Sequence, residues 1–340
     1  MPFAEVIGHE RTKRQLRTLL HQGHMAHAFL FAGDEAIGKR LLALCFAQVL
    51  SCERLSETLH LDACGQCRAC RQVMAGTHPD VLLIEPDYEA AYPQIKIEHV
   101  RYVEQHVMYR PFIADYKICI MNDADRLTIN AANALLKTLE EPPDHSLFLL
   151  ITSRPAVLPA TVRSRCLTLT CTPPTLAQVE KALMHKQALP QDDARFLAKF
   201  TGGRIGLAFQ QDLQAIRRKY EETWDLLCTL ARTSTPELLE KAEQYAKNNE
   251  ESADLVMWLT HWLRDLLIVA MDGSEELLVF SHQAATLRRW AAHLDKNQLF
   301  HLLESVQELE QAPKHNRNMQ LTFETFFWEL RDTLAPCPVS

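Results

Sequence analysis

A chain of 340 residues, 47% hydrophobic and 23% charged, is long enough for two or three packed cores and too apolar to be disordered. Its formal net charge of -7 excludes nucleic-acid binding by bulk electrostatics, so any such contact must be local or shared with partners. The opening Met1-Pro2-Phe3-Ala4-Glu5 lacks the basic and apolar regions of a signal peptide, and ten cysteines without such a signal predict reduced thiols in a cytoplasmic protein.

From residue 1 to about 170, short apolar runs alternate with helical patterns. Strands are predicted at Ala28-Phe29-Leu30-Phe31, Val81-Leu82-Leu83-Ile84, Lys117 to Met121, Leu147 to Ile151 and Leu167 to Thr170. Ala131, Leu135 and Leu139 form a period-four ladder ended by Pro142-Pro143. Unbroken apolar strands alternating with helices predict a parallel sheet covered on both faces. Pro173-Pro174 marks a linker, residues 175 to about 210 read as a small helical unit, and no strand is predicted from about 213 onward. Leu255 to Met271 is the most apolar stretch, but Arg264 and Asp265 at its middle make it a buried helix rather than a membrane span. The charged run Glu240 to Ser252 reads as a solvated helix face or loop.

Gly33-Asp34-Glu35-Ala36-Ile37-Gly38-Lys39-Arg40 follows a predicted strand and opens a helix, the context of a Walker A phosphate loop rather than of an unrelated glycine turn. Gly33 and Gly38 would let backbone N–H groups wrap a phosphate and Lys39 would reach its oxygens. Arg40, however, stands where a Ser or Thr hydroxyl binds Mg²⁺, and Asp34 and Glu35 add negative charge. The partner strand ends Ile120-Met121-Asn122-Asp123, with an amide in the metal-ligand place and a shorter acid in the place of the base.

Cys52, Cys64, Cys67 and Cys70 follow the spacing C-x11-C-x2-C-x2-C, which suits one tetrahedral Zn²⁺ better than scattered buried thiols. Four thiolates leave no open coordination position, so the expected role is structural. A zinc-ribbon nucleic-acid binder is disfavoured by the few aromatic residues and by only Arg68 and Arg71 beside the clustered ligands. Cys45, Cys119, Cys166, Cys171, Cys228 and Cys337 have no ligand spacing.

Asn133-Ala134-Leu135-Leu136-Lys137-Thr138-Leu139-Glu140-Glu141-Pro142-Pro143 resembles the box that bacterial clamp-loader subunits of the AAA+ family carry after the Walker B strand. Val6-Ile7-Gly8-His9 resembles that family's opening segment, Ala26 to Phe31 its first strand and Thr152 its sensor-1 position. Ser164-Arg165-Cys166 matches its SRC motif, and Asn316-Arg317-Asn318 with Leu321 and Glu324 resembles its collar signature. The resemblance implies an α/β fold: a RecA-like AAA+ P-loop domain with a parallel sheet over residues 1–172, carrying a zinc module at about 50–80, then a helical lid at 173–212 and an all-α collar at 213–340 for oligomerisation. Related subunits have a shorter first zinc loop, which leaves His60 or His78 as alternatives to Cys52.

Lys39-Arg40, Asn122-Asp123 and a Gly at the sensor-2 place within Gly203-Arg204-Ile205-Gly206-Leu207-Ala208 depart from the ATP-hydrolysing gamma/tau branch and favour the stator-like delta-prime branch. The delta branch lacks the SRC motif and the cysteines. The resemblance then implies assembly with gamma/tau and delta subunits, contact with the sliding clamp and primed DNA through that assembly, and no membrane role. Arg165, flanked by Ser164 and Cys166, would act in trans on a neighbour's ATP. No hydrolysis is expected from the chain itself, a component of a DNA polymerase holoenzyme, and silent ATP binding at Gly33, Gly38 and Lys39 is left open. The readings from other classes are a motor ATPase and a zinc-dependent DNA-binding module.

Overall fold

A computed structural model describes residues 3–23, 25–55, 62–90, 92–230, 232–315 and 317–336; His60, Asn316 and Cys337 lie outside them. The chain divides into two compact units, Met1–Gln210 and Gln211–Ser340.

In the first unit, α1 (Glu10–Gln22) precedes β1 (Ala28–Ala32), which runs through the phosphate loop into α2 (Lys39–Ser51). The cysteine segment and the short α3 (Arg68–Met74) lead to β2 (Val81–Ile84), α4 (Ile97–Met108) and β3 (Lys117–Met121). Then follow α5 (Ile129–Glu140), β4 (Ser146–Thr152), α6 (Ala160–Arg163) and β5 (Leu167–Thr170). Each predicted strand is present to within a residue at either end. The five strands form one wholly parallel sheet in the order β2-β3-β4-β1-β5. β1, β3 and β4 are buried at every position, because helices cover both faces. Phe29, Phe31, Ile118, Ile120, Leu147 and Leu149 join Phe46 and Val49 in the core on one side; Leu30, Cys119, Met121, Phe148 and Leu150 meet Leu135 and Val103 on the other. The period of two along each strand thus serves two cores. The sheet is the parallel α/β arrangement expected from the sequence, with the glycine loop between β1 and α2.

Local chemistry sets the helix ends. The Thr128 hydroxyl accepts from Ala131 N at 3.2 Å to start α5, and Pro142-Pro143 follow its end. Three further helices, α7 (Leu176–Gln187), α8 (Gln191–Phe200) and α9 (Ile205–Gln210), close the first unit; Thr175 and Gln178 form a capping box at α7.

The described residues of the second unit contain no strand. Its principal helices are α10 (Leu213–Leu230), α11 (Thr235–Lys247), α12 (Asn249–Ala270), α13 (Ala284–Ala291), α14 (Lys296–Gln311) and α15 (Met319–Leu334). Asp265 on α12 is fully buried, pairs with Arg264 at 2.9 Å and accepts from Val279 N and Phe280 N at 3.2 and 2.8 Å. A carboxylate in an apolar helix therefore pins the following segment, packing Phe280 on Trp262 and Trp258. No described helix is long and apolar enough to cross a membrane. The charged run is the end of α11 and the start of α12, where the Asn248 side chain accepts from Glu250 N and Glu251 N.

Candidate functional site

The phosphate loop joins β1 to α2. Gly33 N donates to Thr152 O at 3.3 Å, and a Cβ there would meet the Cys171 carbonyl oxygen at 2.2 Å, so no side chain fits. Gly38 caps α2 at φ 100°. Lys39 is buried, and its amine donates to Asp34 O of its own loop at 2.5 Å. Burial lowers its pKa, against the opposing pull of Cys171, Asp123, Glu35 and Asp34. His9 reaches the loop from the opening segment, its Nε2 lying 2.7 Å from Ile37 O, and burial lowers its pKa as well.

Arg40 points to the end of β2. Its Nε and Nη2 lie 3.0 and 3.1 Å from the two Glu85 oxygens, a bidentate pair. Asn122 Nδ2 donates to Glu85 Oε1 at 3.3 Å and to the Tyr88 oxygen at 3.0 Å, while Tyr88 O–H donates to Asp123 Oδ2 at 2.7 Å. Burial and then Asp123 push the Tyr88 pKa up. The positions where a working loop collects metal ligands are thus joined by one hydrogen-bonded chain. Sequence reasoning singled out Arg40, Asn122 and Asp123 but missed Glu85 and Tyr88, which belong to no motif. Beside this network lies a cavity of about 1040 Å³, with Val6, Ile7, Leu41 and Ile205 on its apolar side and Lys39, Arg40 and Asp123 on its charged side.

Thr152 Oγ1 donates to Asp125 Oδ1 at 2.7 Å, and Arg154 grips Asp125 Oδ2 at 2.7–2.8 Å. Burial pushes the Asp125 pKa up, but these bonds outweigh it and hold it low. From α9, Gly206 N donates to Ala36 O of the loop at 2.7 Å; a Cβ on Gly206 would lie 2.9 Å from that oxygen. Gly206 is therefore a point of close backbone contact. Arg204, also missed from sequence, lines a polar cavity of about 620 Å³ with Asp34, Asp123, Arg126 and Arg154.

Cys52, Cys64, Cys67 and Cys70 come together, with all four Sγ atoms within 4.8 Å of one another. Backbone N–H groups of Cys64, Cys67 and Cys70 donate to the sulfurs of Cys52, Cys64 and Cys67 at 3.4, 3.3 and 3.4 Å. Burial alone would raise the Cys64 thiol, but the N–H groups of Gln66 and Cys67 bring it down to about 6. Burial raises Cys52, and burial with Cys67 raises Cys70. Four thiolates cannot accumulate there without a counter-charge; a dication bound by sulfur supplies it, so this donor set fits Zn²⁺. His78 lies apart, its Nδ1 accepting from Asp80 N at 3.1 Å, which removes it as an alternative to Cys52 among the described residues. Cys67 and Cys70 pack in the core with Phe46 and Val49, so the module is continuous with α2.

Arg165 lies between α6 and the edge strand β5. Its Nη1 donates to Thr161 O at 2.9 Å and lies 3.5 Å from Ser164 Oγ; its Nη2 is 2.6 Å from Glu140 Oε1. Burial raises the Cys166 thiol to about 11, in keeping with a packing role. In the second unit, Asn318 caps α15 and Arg317 pairs with Glu308 at 2.9 Å, while Leu321 is exposed.

Residues 8–175 match the family described as DNA polymerase III, delta subunit, and residues 214–331 match DNA polymerase III, delta subunit, C terminal. DNA polymerase III subunit delta' of Pseudomonas aeruginosa is 40% identical over 51% of this chain, which spans half of that relative's own length. Subunit tau of Bacillus subtilis is 35% identical over 48% of this chain and 28% of its own length. The first half alone therefore does not separate the two kinds of subunit. Subunit delta' of Yersinia pestis, 29% identical, aligns over 96% of this chain and 93% of its own length, carrying the likeness through the helical unit where the second family match also falls. On both halves together, the chain belongs to the family of DNA polymerase III delta-prime subunits.

Proposed function

We propose that the chain is a non-hydrolysing, stator-like subunit of a DNA polymerase III clamp loader. It would assemble with gamma/tau and delta subunits through residues 213–340, its collar, with residues 173–212 as the lid on the AAA+ domain at 1–172. Through that assembly it would meet the sliding clamp and primed DNA. Zinc at Cys52, Cys64, Cys67 and Cys70 would be structural, fixing the loop between α2 and α3 against the core. The Arg40–Glu85–Asn122 network carries the reading: a guanidinium and an amide stand where phosphoryl transfer needs metal ligands, and this chemistry depends on positioning and charge neutralisation. Lys39, turned onto Asp34 O, adds no metal site.

In the same reading Arg165 is the chain's contribution to catalysis. A guanidinium keeps its charge and offers a planar fork of donors, which suits a γ-phosphoryl group of a neighbouring subunit. It sits at the edge of the sheet, before β5, where a side chain can reach another protomer. The test is co-purification with the other clamp-loader subunits, then ATPase and clamp loading with wild type and Arg165→Ala. Arg165→Ala should assemble normally and slow both DNA-stimulated ATPase and loading. Normal assembly with unchanged rates would leave the chain an architectural role only.

A further inference from the structure

α5 ends on Glu140, followed by Glu141 and Pro142-Pro143. A carboxylate at the last helical residue faces the unsatisfied carbonyls and the negative end of the helix, the opposite of the usual preference for a cation there. What compensates it is Arg165, 25 positions along the chain, at 2.6 Å. The same guanidinium is held from its other side by Thr161 O at 2.9 Å. Two of its donor groups are thus committed inside its own subunit, on the fork that would have to receive a phosphoryl group. α5 and α6 pack together, so the acid and the arginine are presented from a fixed frame.

The pair is open to water, with side chains 34% and 51% exposed for Arg165 and Glu140. Exposed ion pairs of this sort shift a local equilibrium only modestly, up to about fivefold. That is weak enough for a multiply charged phosphoryl group to displace the carboxylate. It is also strong enough to keep the arginine turned inward when no such group is near. We infer that Glu140 is a positioning residue that holds Arg165 in a parked rotamer and sets how readily it is released to a neighbouring subunit's nucleotide. This inference rests on the reading of Arg165 as a residue acting in trans.

The test compares complete clamp-loader complexes carrying wild type, Glu140→Gln, Arg165→Ala and the double substitution, with assembly checked by gel filtration. Glu140→Gln keeps shape and removes charge; Glu140→Ala is the second variant should the amide still hold the guanidinium. Releasing the arginine should raise kcat of the ATPase without DNA about two- to fivefold, with KM for ATP unchanged. The double substitution should match Arg165→Ala alone, since Glu140 acts only through Arg165. In the isolated chain, the Arg165 guanidinium N–H signals should exchange faster with water in Glu140→Gln. If Arg165→Ala slows the complex but Glu140→Gln and Glu140→Ala leave it at the wild-type rate, or slow it, the parking role is overturned while the trans role stands. If Arg165→Ala itself has no effect, the trans reading falls and the parking role falls with it.

Discussion

Replacing Asp80 by Asn should be among the most destabilising single changes in the first unit. Asp80 is fully buried; its Oδ1 accepts from Phe112 N at 2.8 Å and pairs with Lys117 Nζ at 2.9 Å, and its Oδ2 accepts from Ile113 N and Ala114 N at 2.8 and 3.0 Å. One carboxylate thus anchors the turn between α4 and β3 to the residue that leads from the cysteine module into β2. Burial pushes its pKa up, but the Phe112 N–H and Lys117 outweigh that and take it from 3.8 to about 2. A folded-state value below the unfolded one adds stability above about pH 4 that is lost as pH falls through about 2, worth roughly 2–3 kcal/mol at ~1.4 kcal/mol per unit. Asn keeps the shape but takes the counter-charge from the Lys117 ammonium, 2% exposed, leaving it Pro79 O and the Phe112 ring, and turns an amide N–H toward a backbone donor. Breaking a buried pair in this way costs about 3–5 kcal/mol, or roughly 6–20 °C in the transition of a unit this size. Calorimetry of Asp80→Asn, Lys117→Met and the double variant near neutral pH measures it. The double variant should cost less than the two singles added. A loss below about 1 kcal/mol for Asp80→Asn, or strict additivity, would refute the reasoning.

The purified chain should carry close to one zinc, and Cys67→Ser should lose it; equal metal in both, or none in either, counts against the site. Because Cys67 and Cys70 share a core with α2, chelation of the metal should also lower the melting temperature of the first unit. The isolated chain should hydrolyse ATP no faster than a blank; metal-dependent turnover abolished by Lys39→Ala would identify a motor instead. Arg165→Lys should slow the assembled complex much as Arg165→Ala does, because an ammonium lacks the fork, whereas Arg163→Ala should do less.

The central strands β1, β3 and β4 were legible because they are buried on both faces and so read as apolar runs, whereas the edge strand β5, exposed at three of its four positions, was legible from its alternation of Leu and Thr. The order of those strands was not: nothing local states that β1 lies between β4 and β5. The cysteine cluster was legible because thiolate spacing is itself geometric, and the structure brings Cys52, and not His78, beside the other three cysteines. Glu85 and Tyr88 were not legible, since Asn122 and Asp123 reach them only through the pairing of β2 with β3 and Arg40 only from α2, far away in the chain. Glu140 carried a faint signal, an acid at a helix end that favours a base. Only its contact with Arg165 gives that signal meaning.

A phosphate loop without metal ligands still has to be held in shape. In a working site the phosphates neutralise the Lys and order the loop amides, while Mg²⁺ neutralises the phosphates. Here the same tasks fall to the protein. Asp34 O takes the Lys39 amine, Glu85 takes the Arg40 guanidinium, and the Tyr88 hydroxyl joins Asn122 to Asp123. The helix at 205–210 needs no ligand to meet the loop either, because Gly206 N meets Ala36 O directly, at a spacing that a side chain on residue 206 would force apart. This bond links the helix at 205–210 to the phosphate loop with no nucleotide between them. Restoring a hydroxyl at 40 or a carboxylate at 122 alone should therefore be insufficient to give ATP turnover, since Glu85 and the Gly206–Ala36 contact would still hold the loop by the same bonds.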